Sequence, residues 1–375
     1  MNAAPRWKGR AMPQAPAPDR GASVDRDEVE RPRCYGALDL GTNNCRLLIA
    51  TPAGGSFRVV EAFSRIVRLG EGLTHTGMLQ DAAIERAIAA LKICAEKVAR
   101  RRVLKLRAVA TQACRAAANG PAFISRVRDE TGLDLTIIEP EEEARLSVAG
   151  CSNLMDRSAE AALVVDVGGG STELSWVTFS GEETDRRPRL ISWLSIPIGV
   201  VSLAERFPEP DVADDAWWDA MVGAVRTQIA AFGAADPLRT HFESGRAHLI
   251  GTSGAITSLA GMHLGLRRYD RSRVDGLWMT RSECDAAANR LREVGREGRA
   301  AEPCIGPDRA DLVLAGAAIL EAVQQLWPCD RVRVADRGLR EGMLLALMRE
   351  SEGRPKRKRR RRRSRGGAGA PQQAA

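Results

Sequence analysis

The sequence predicts an α/β protein whose two similarly built halves face each other across a cleft. Three observations carry this. Apolar runs of strand length alternate with segments of helical period. A strand, an aspartate–glycine turn and a second strand open each half, "ALDLGTN" at residues 37–43 and "VVDVGGGST" at 164–172. The 375 residues, 44% of them hydrophobic, suffice for about two domains at roughly 150 residues each.

The elements follow in order. Residues 35–50 read as strand, glycine turn, strand, and 59–69 as a further strand. Residues 81–101 read as a helix, because Ile84, Ile88, Leu91, Ala95 and Val98 recur at spacings of three and four. A strand is expected at 104–111, a short helix at 121–131 with Phe123, Ile124 and Val127 inward, and a strand at 133–140 broken by Pro140. Residues 141–150 read as a helix with its acids in the first turn, where the dipole favours them. The pattern then restarts, with strands at 161–167, 173–179 and 189–199, and helices at 217–232 and 281–294. Residues 247–262 read as strand, glycine turn, helix; 310–325 as a helix; and 331–348 as strand, turn, helix. The expected organisation is a disordered leader (1–33), a first lobe (34–155), a second lobe (156–350) and a disordered basic tail (351–375).

Composition excludes several classes. The eight cysteines form no CxxC pair and only four histidines could join them, so a disulfide framework and a zinc cluster both fit poorly. Reduced thiols in a cytoplasm fit best. No apolar run is long enough to span a membrane, and the leader has no apolar core of a secretory signal. The net charge of +8 belongs to the tail: residues 354–365 carry ten basic residues and no acidic one, leaving −2 for the rest. A block of like charge stays solvated and suits either solubility or non-specific contact with a polyanion such as RNA or polyphosphate. It holds no aromatic residue to stack on bases.

The chemistry concentrates in the two turns. Bare glycine turns present backbone N–H groups that bind anions. Neither turn is a GxGxxG or a GxxxxGK[ST] sequence. Asp39 and Asp166, at the ends of the strands, are placed to hold a cation or a water beside phosphate, since Mg²⁺ is typically held by one or two carboxylates plus phosphate oxygens. Each is equally well read as a turn aspartate capping its own backbone.

In chain order, "ALDLGTNNCRLLIA", "VATQACRAAAN", "EEEARL", "VVDVGGGSTEL", "GTSGAITSLAGM", "RADLVLAGAAIL" and "DRGLREGMLLALM" resemble the exopolyphosphatase / guanosine pentaphosphate phosphohydrolase family in its short, two-lobe form. The resemblance runs from about Tyr35 to Met348 and implies two ribonuclease-H-like lobes of the actin, Hsp70 and sugar-kinase superfamily, with the active site in the cleft between them. It implies that Glu143 is the general base; the residues alone do not choose among Glu141, Glu142 and Glu143. It implies that Arg115 contacts phosphate and that Asp39, Asp166 and Glu173 position a magnesium or other divalent ion, partly through water, with Asp166 and Glu173 also counted among the catalytic groups. Gly41, Thr42 and Asn43 match its first phosphate loop, and Gly168, Gly169, Gly170, Ser171 and Thr172 its second. Homodimers are common in the family.

The sequence departs from the family at Glu139-Pro140, where Ser-Gly is usual, at Ser253 and Ala255 in the third glycine turn, and at Asp275. An extra carboxylate at Glu139 is expected to perturb the position or pKa of Glu143. The expected activity is Mg²⁺-dependent release of orthophosphate from the end of inorganic polyphosphate. The same chemistry on guanosine pentaphosphate is the near alternative, disfavoured by the scarcity of aromatic residues near the motifs. A non-catalytic polyphosphate- or RNA-binding regulator is the alternative of another class.

Overall fold

The computed structural model describes residues 33–181, 186–233 and 238–352, without the side chains of 231–233 and 352. The expected leader and the Arg-rich tail therefore lie outside the described residues. Two sheets organise the rest. The first has the order β3-β2-β1-β4-β5, with β1 Tyr35–Leu40, β2 Asn44–Ala53, β3 Ser56–Ile66, β4 Lys105–Ala110 and β5 Thr136–Ile137. The second adds β6 Ala161–Val167, β7 Thr172–Ser180, β8 Arg187–Ile196, β9 Ala247–Thr252, β10 Trp278–Met279 and β11 Val332–Ala335, in the order β10-β11-β9-β6-β7-β8.

The sheets repeat one another. In each, the first three strands in sequence form an antiparallel meander, and the next pairs parallel to the first, β4 to β1 and β9 to β6. Further parallel strands, β5 and β11, extend each sheet on that side, and β10 caps the second as an antiparallel edge. This is the two-lobe ribonuclease-H-like plan. Parallel pairing needs crossovers, and the predicted helices supply them. Asp81–Arg100 buries Ile84, Ile88, Leu91 and Cys94 against the first sheet. Val313–Leu326 is almost wholly apolar and lies in the core of the second lobe with Trp176 and Trp327, whose rings meet edge to face at 5.4 Å.

Three segments differ from the sequence reading. The strand expected over 59–69 runs instead from Ser56 to Ile66. The strand expected over 133–140 is reduced to Thr136–Ile137. Pro140 does not break an element; it starts the helix Pro140–Cys151 from its first turn, where a missing N–H costs nothing. The strand expected over 189–199 ends at Ile196, and a short helix, Val200–Arg206, follows.

The helix Pro140–Cys151 packs against the last helix, Leu339–Glu352. A Cβ on Gly342 would sit 2.0 Å from the carbonyl oxygen of Leu146, and one on Gly150 would sit 1.9 Å from that of Gly338. Only glycine permits this approach. Leu339, Met343, Leu344 and Leu347 then pack with Tyr35, Ala37 and Leu48 of the first sheet, so the last described helix covers the first sheet. The crossing fixes the helix that carries Glu143.

Candidate active site

A cavity of about 570 Å³ opens between the sheets at the ends of β1 and β6. Cross-strand register determines what faces it. Across the first sheet Asp39 pairs with Arg46 and Arg46 with Ser64; across the second Asp166 pairs with Glu173 and Glu173 with Ser195. Directly opposed residues share a face of a sheet, and Asp39, Arg46, Ser64, Asp166 and Glu173 all line the cavity.

The turns meet each other. A Cβ on Gly169 would sit 2.9 Å from Cβ of Thr42 and 3.0 Å from the Asn43 nitrogen, and one on Gly170 would overlap the side chain of Gln112. None of Gly168, Gly169 and Gly170 has positive φ. The bareness of Gly169 and Gly170 therefore serves contact between the lobes, and that of Gly168 serves the turn itself, where a Cβ would sit 2.8 Å from the Ser171 carbonyl oxygen. The carbonyls of Gly168 and Gly169 accept from Val200 and Val201 at 2.9 and 2.8 Å, which ties the loop to the helix behind it. The N–H groups of Thr42, Asn43, Gly169, Gly170 and Ser171 form no hydrogen bond among the described residues, and all five residues border the cavity. They are the donors an anion would meet.

The side chains of the two loops are mostly committed elsewhere. The Thr42 hydroxyl donates to Gln112 at 3.1 Å and that of Ser171 to Glu173 at 2.7 Å. Thr172, expected in the phosphate loop, is fully buried, donates its hydroxyl to the Ile198 carbonyl at 2.7 Å and does not line the cavity; its place on β7 turns that side chain inward. Asn43 Oδ1 and Asn44 Oδ1 are buried without a hydrogen-bond partner.

Of the three consecutive glutamates, Glu141 is exposed and Glu142 accepts from Arg107. Glu143 alone is buried, 8% exposed, and lines the cavity. Its pKa is held well above the usual carboxylate range by burial and by the charge of Glu173, against the opposing pull of Arg115. Glu139, expected to perturb it, caps the helix from an exposed position, does not line the cavity and is not among the groups that shift Glu143. Arg115, expected on phosphate, does not line the cavity. Its guanidinium donates to the Ile138 carbonyl at 2.5 Å and stands 3.5 Å from Oε2 of Glu143.

Asp39, Glu173 and Asp166 are also raised. Burial raises Asp39 to about 6, with Arg46 and Arg340 pulling the other way. Glu173 rises to about 7 through burial and Asp166, although the hydroxyls of Ser171 and Ser195 donate to its Oε1 at 2.7 and 2.9 Å. Asp166 rises through burial despite a hydrogen bond from Ser147. Among the described residues no three histidine, cysteine or acidic side chains are gathered closely enough to enclose a metal. The acids that raise one another fit a cation held by one or two carboxylates, with water and phosphate completing its shell. Asp39, Asp166 and Glu173 suit that looser arrangement.

The sequence reading missed Arg46, Arg309 and Arg340. All three line the cavity, and none forms an ion pair with a described residue. Other arginines are neutralised, among them Arg337 by Asp275, Arg331 by Asp156 and the fully buried Arg299 by Glu209. Arg46 and Arg309 converge near Gly254, at the start of the helix Gly254–His263, where a Cβ would lie 3.7 Å from Arg46 Nη2 and 3.9 Å from Arg309 Nη1. A cavity with free N–H groups, arginines outside any ion pair with a described residue and crowded carboxylates has the composition for phosphoryl chemistry.

The sequence pattern of the Ppx/GppA phosphatase family matches residues 48–351. The chain belongs to the Ppx/GppA phosphatase family. It is therefore a phosphatase, a hydrolase, and solved structures of similar proteins carry the same family name. The Ppx/GppA family member from Aquifex aeolicus is 28% identical, with 86% of this chain and 99% of that one covered and a TM-score of 0.69. An exopolyphosphatase-like protein is 29% identical over 85% of this chain and 99% of its own, at a TM-score of 0.75. An exopolyphosphatase from Cytophaga hutchinsonii, 23% identical over 85% and 98% of the two chains, has the same fold at a TM-score of 0.75. Among the described residues no helix of this phosphatase is long and apolar enough to cross a membrane.

Proposed function

We propose that this phosphatase is an exopolyphosphatase that hydrolyses the terminal phosphoanhydride of inorganic polyphosphate. The observation that carries the reading is the set of three arginines that form no ion pair with a described residue, facing two loops of free N–H groups in one cavity. Such a surface fits a substrate that is phosphate along its whole length. The terminal phosphate lies on the N–H groups of residues 42–43 and 169–171, and Arg46, Arg309 and Arg340 hold the phosphates behind it. Glu143 accepts a proton from a water, whose oxygen forms the new bond to the terminal phosphorus. The bridging P–O bond breaks, and the shortened chain leaves with its charge held by the arginines. Burial makes Glu143 a stronger base than an exposed glutamate. Asp39, Asp166 and Glu173 would hold a Mg²⁺ ion, which supplies charge neutralisation at the phosphoryl oxygens.

A nucleotide reading also has an observation in its favour. Tyr269, Pro303, Ile305, Pro307, Leu312 and Val313 give the cavity an apolar wall. That wall has the chemistry to receive the base of guanosine pentaphosphate, the partner the scarce aromatics of the sequence argue against. With Mg²⁺ present, kcat/KM for polyphosphate is expected to exceed that for guanosine pentaphosphate; the reverse order would transfer the assignment to the nucleotide. Glu143→Gln is expected to lower phosphate release about 1000-fold and to leave polyphosphate binding intact. A variant that keeps its turnover removes Glu143 as the base. A wild type that binds polyphosphate and releases no phosphate leaves the non-catalytic regulator.

A further inference from the structure

The first sheet has two ends. The cavity opens at one, beside Asp39 of β1. At the other, Tyr35 of β1 pairs with Lys105 at the start of β4, about 13 Å back from Asp39 at the rise of a strand. The chain at this far end is basic. Residues 97–107 hold six lysines and arginines and no acid. Glu61 serves three of them at once, Lys97 and Arg100 at 2.6 Å and Arg101 at 2.5 Å, so one carboxylate faces three cations. Glu142 accepts from Arg107, and Glu350 stands 3.9 Å from Lys105. The exposed Arg33, Arg102 and Arg349 form no ion pair with a described residue.

The carboxylates of this end therefore fall short of its cations, and two further features gather there. Leu104 stands between Arg102 and Lys105 with 56% of its surface exposed, and its N–H donates to the Cys34 carbonyl at 2.8 Å, which brings Arg33 alongside. The helix Leu339–Glu352 also ends here, as the approach of Glu350 to Lys105 shows, and the ten basic residues of 354–365 begin just beyond it. Positive charge in this amount binds a polyanion by releasing its counterions. The position, at the opposite end of the sheet from Asp39, separates this face from the substrate of the cavity. Leu104 narrows the class of polyanion. A bare phosphate chain has no apolar surface to set against it, and a DNA duplex stacks its base faces inside. A single strand of RNA leaves ribose and base faces open.

We propose that this far end of the first lobe, continued by residues 354–365, is a docking surface for single-stranded RNA. Arg33, Arg102, Arg349 and the basic residues of 354–365 hold its phosphates, and Leu104 packs on its sugars and bases. The contacts go to phosphate and to apolar surface, so affinity is nearly independent of base sequence. The inference holds whichever phosphate the cavity hydrolyses.

The test measures, on the full-length protein in EDTA, the fluorescence anisotropy of a labelled oligouridylate with a 5′-hydroxyl end, which denies the cavity a terminal phosphate. Wild type is expected to bind it with a Kd that rises steeply with salt. Glutamine at all ten basic positions of 354–365 is expected to raise Kd about 100-fold. Arg102→Gly is expected to raise it about threefold and to lower the slope of log Kd against log salt by about 0.7, one phosphate contact to a single strand. Arg102 has a φ of 49°, where glycine is at ease, so this variant keeps its Tm and its lost affinity is not lost fold. Leu104→Gln is expected to weaken oligouridylate about fivefold and to leave inorganic polyphosphate and duplex DNA unaffected. A wild type that does not bind oligouridylate overturns the proposal. So does an affinity that falls only with the 354–365 variant, which would take the lobe out of the surface. Tighter binding of polyphosphate or duplex DNA than of oligouridylate, with Leu104→Gln silent on all three, overturns the assignment to RNA.

Discussion

In the first sheet the row of paired residues at the mouth of the cavity reads Asp39, Arg46, Ser64; in the second it reads Asp166, Glu173, Ser195. Strand order, hairpin direction and the aspartate and serine positions repeat, and only the middle residue changes, from cation to anion. The consequences show in the titration of the neighbours. Arg46 pulls the pKa of Asp39 down against burial, whereas the charge of Asp166 helps push Glu173 up to about 7. One architecture used twice thus yields two electrostatic halves. The first hairpin offers positive charge to phosphate. The second concentrates negative charge, which suits a cation or the proton of a water. The clamp works as a pair of unequal jaws, and substitutions at the middle and outer positions test that inequality.

Within the two rows, the largest expected effect is at Glu173. Glu173→Gln keeps the shape and can still accept from Ser171 and Ser195, but it erases the doubled negative charge of the second row. Turnover is expected to fall about 100-fold, since the site loses the group that faces water and cation. Stability without substrate and in EDTA moves the other way. The folded protein binds the Glu173 proton more tightly than the unfolded chain, so the contribution of this group is complete below its ordinary value of 4.5 and is lost as pH rises through about 7. At pH 8 the variant is expected to be more stable on the order of 3 kcal/mol, visible as a Tm several degrees higher; at pH 4 the difference vanishes. A variant no more stable than wild type at pH 8 would show that Glu173 carries no burial strain, and the two halves would then be electrostatically alike.

Arg46 is the counterpart. Arg46→Gln removes the cation of the first row, and KM is expected to rise about 10- to 100-fold, the scale of one charge-assisted hydrogen bond. The change in kcat is expected to be the smaller one, opposite to the pattern at Glu173. Equal losses in kcat for both variants would break the division of labour between the hairpins.

Much of this is legible in the sequence, and the exceptions have physical reasons. The strand–turn–strand openings are readable because strand residues alternate between faces and the glycine turns punctuate them. Glu143 cannot be told from its two neighbours by sequence, because the choice depends on which glutamate the packed helix turns into the cavity. That is set by Gly150 and Gly342, which lie far apart along the chain. Arg46 escapes a sequence reading because a lone arginine in a strand looks like a surface residue. One signal is present: Arg46 follows Asp39 by seven positions, and Glu173 follows Asp166 by the same seven. Laying the two openings over each other puts the arginine opposite the glutamate by sequence spacing alone. The glycines of residues 168–170 suggest access for phosphate, whereas the missing side chains of Gly169 and Gly170 make room for Thr42, Asn43 and Gln112 of the other lobe. No local pattern encodes a contact between loops so distant in the chain.

The smallest expected effect is at the outer position of the second row. Ser195 donates to Glu173 Oε1 at 2.9 Å and so stabilises the ionised carboxylate that burial and Asp166 disfavour. Ser195→Ala leaves Ser171 as the only hydroxyl donor to that oxygen among the described residues. The pKa of Glu173 then rises further, and if turnover requires Glu173 ionised, the acid limb of the kcat/KM profile moves to higher pH by up to about one unit, the equivalent of one hydrogen bond to a charged group. At alkaline pH the variant regains wild-type turnover, because the carboxylate is then ionised in both proteins. Ser64→Ala, at the equivalent position beside Arg46, has no such carboxylate to act through and leaves the acid limb in place. A shift of the same size in both variants would mean that the outer serines act on the cavity in general, and the contrast between the two rows would rest on their middle residues alone.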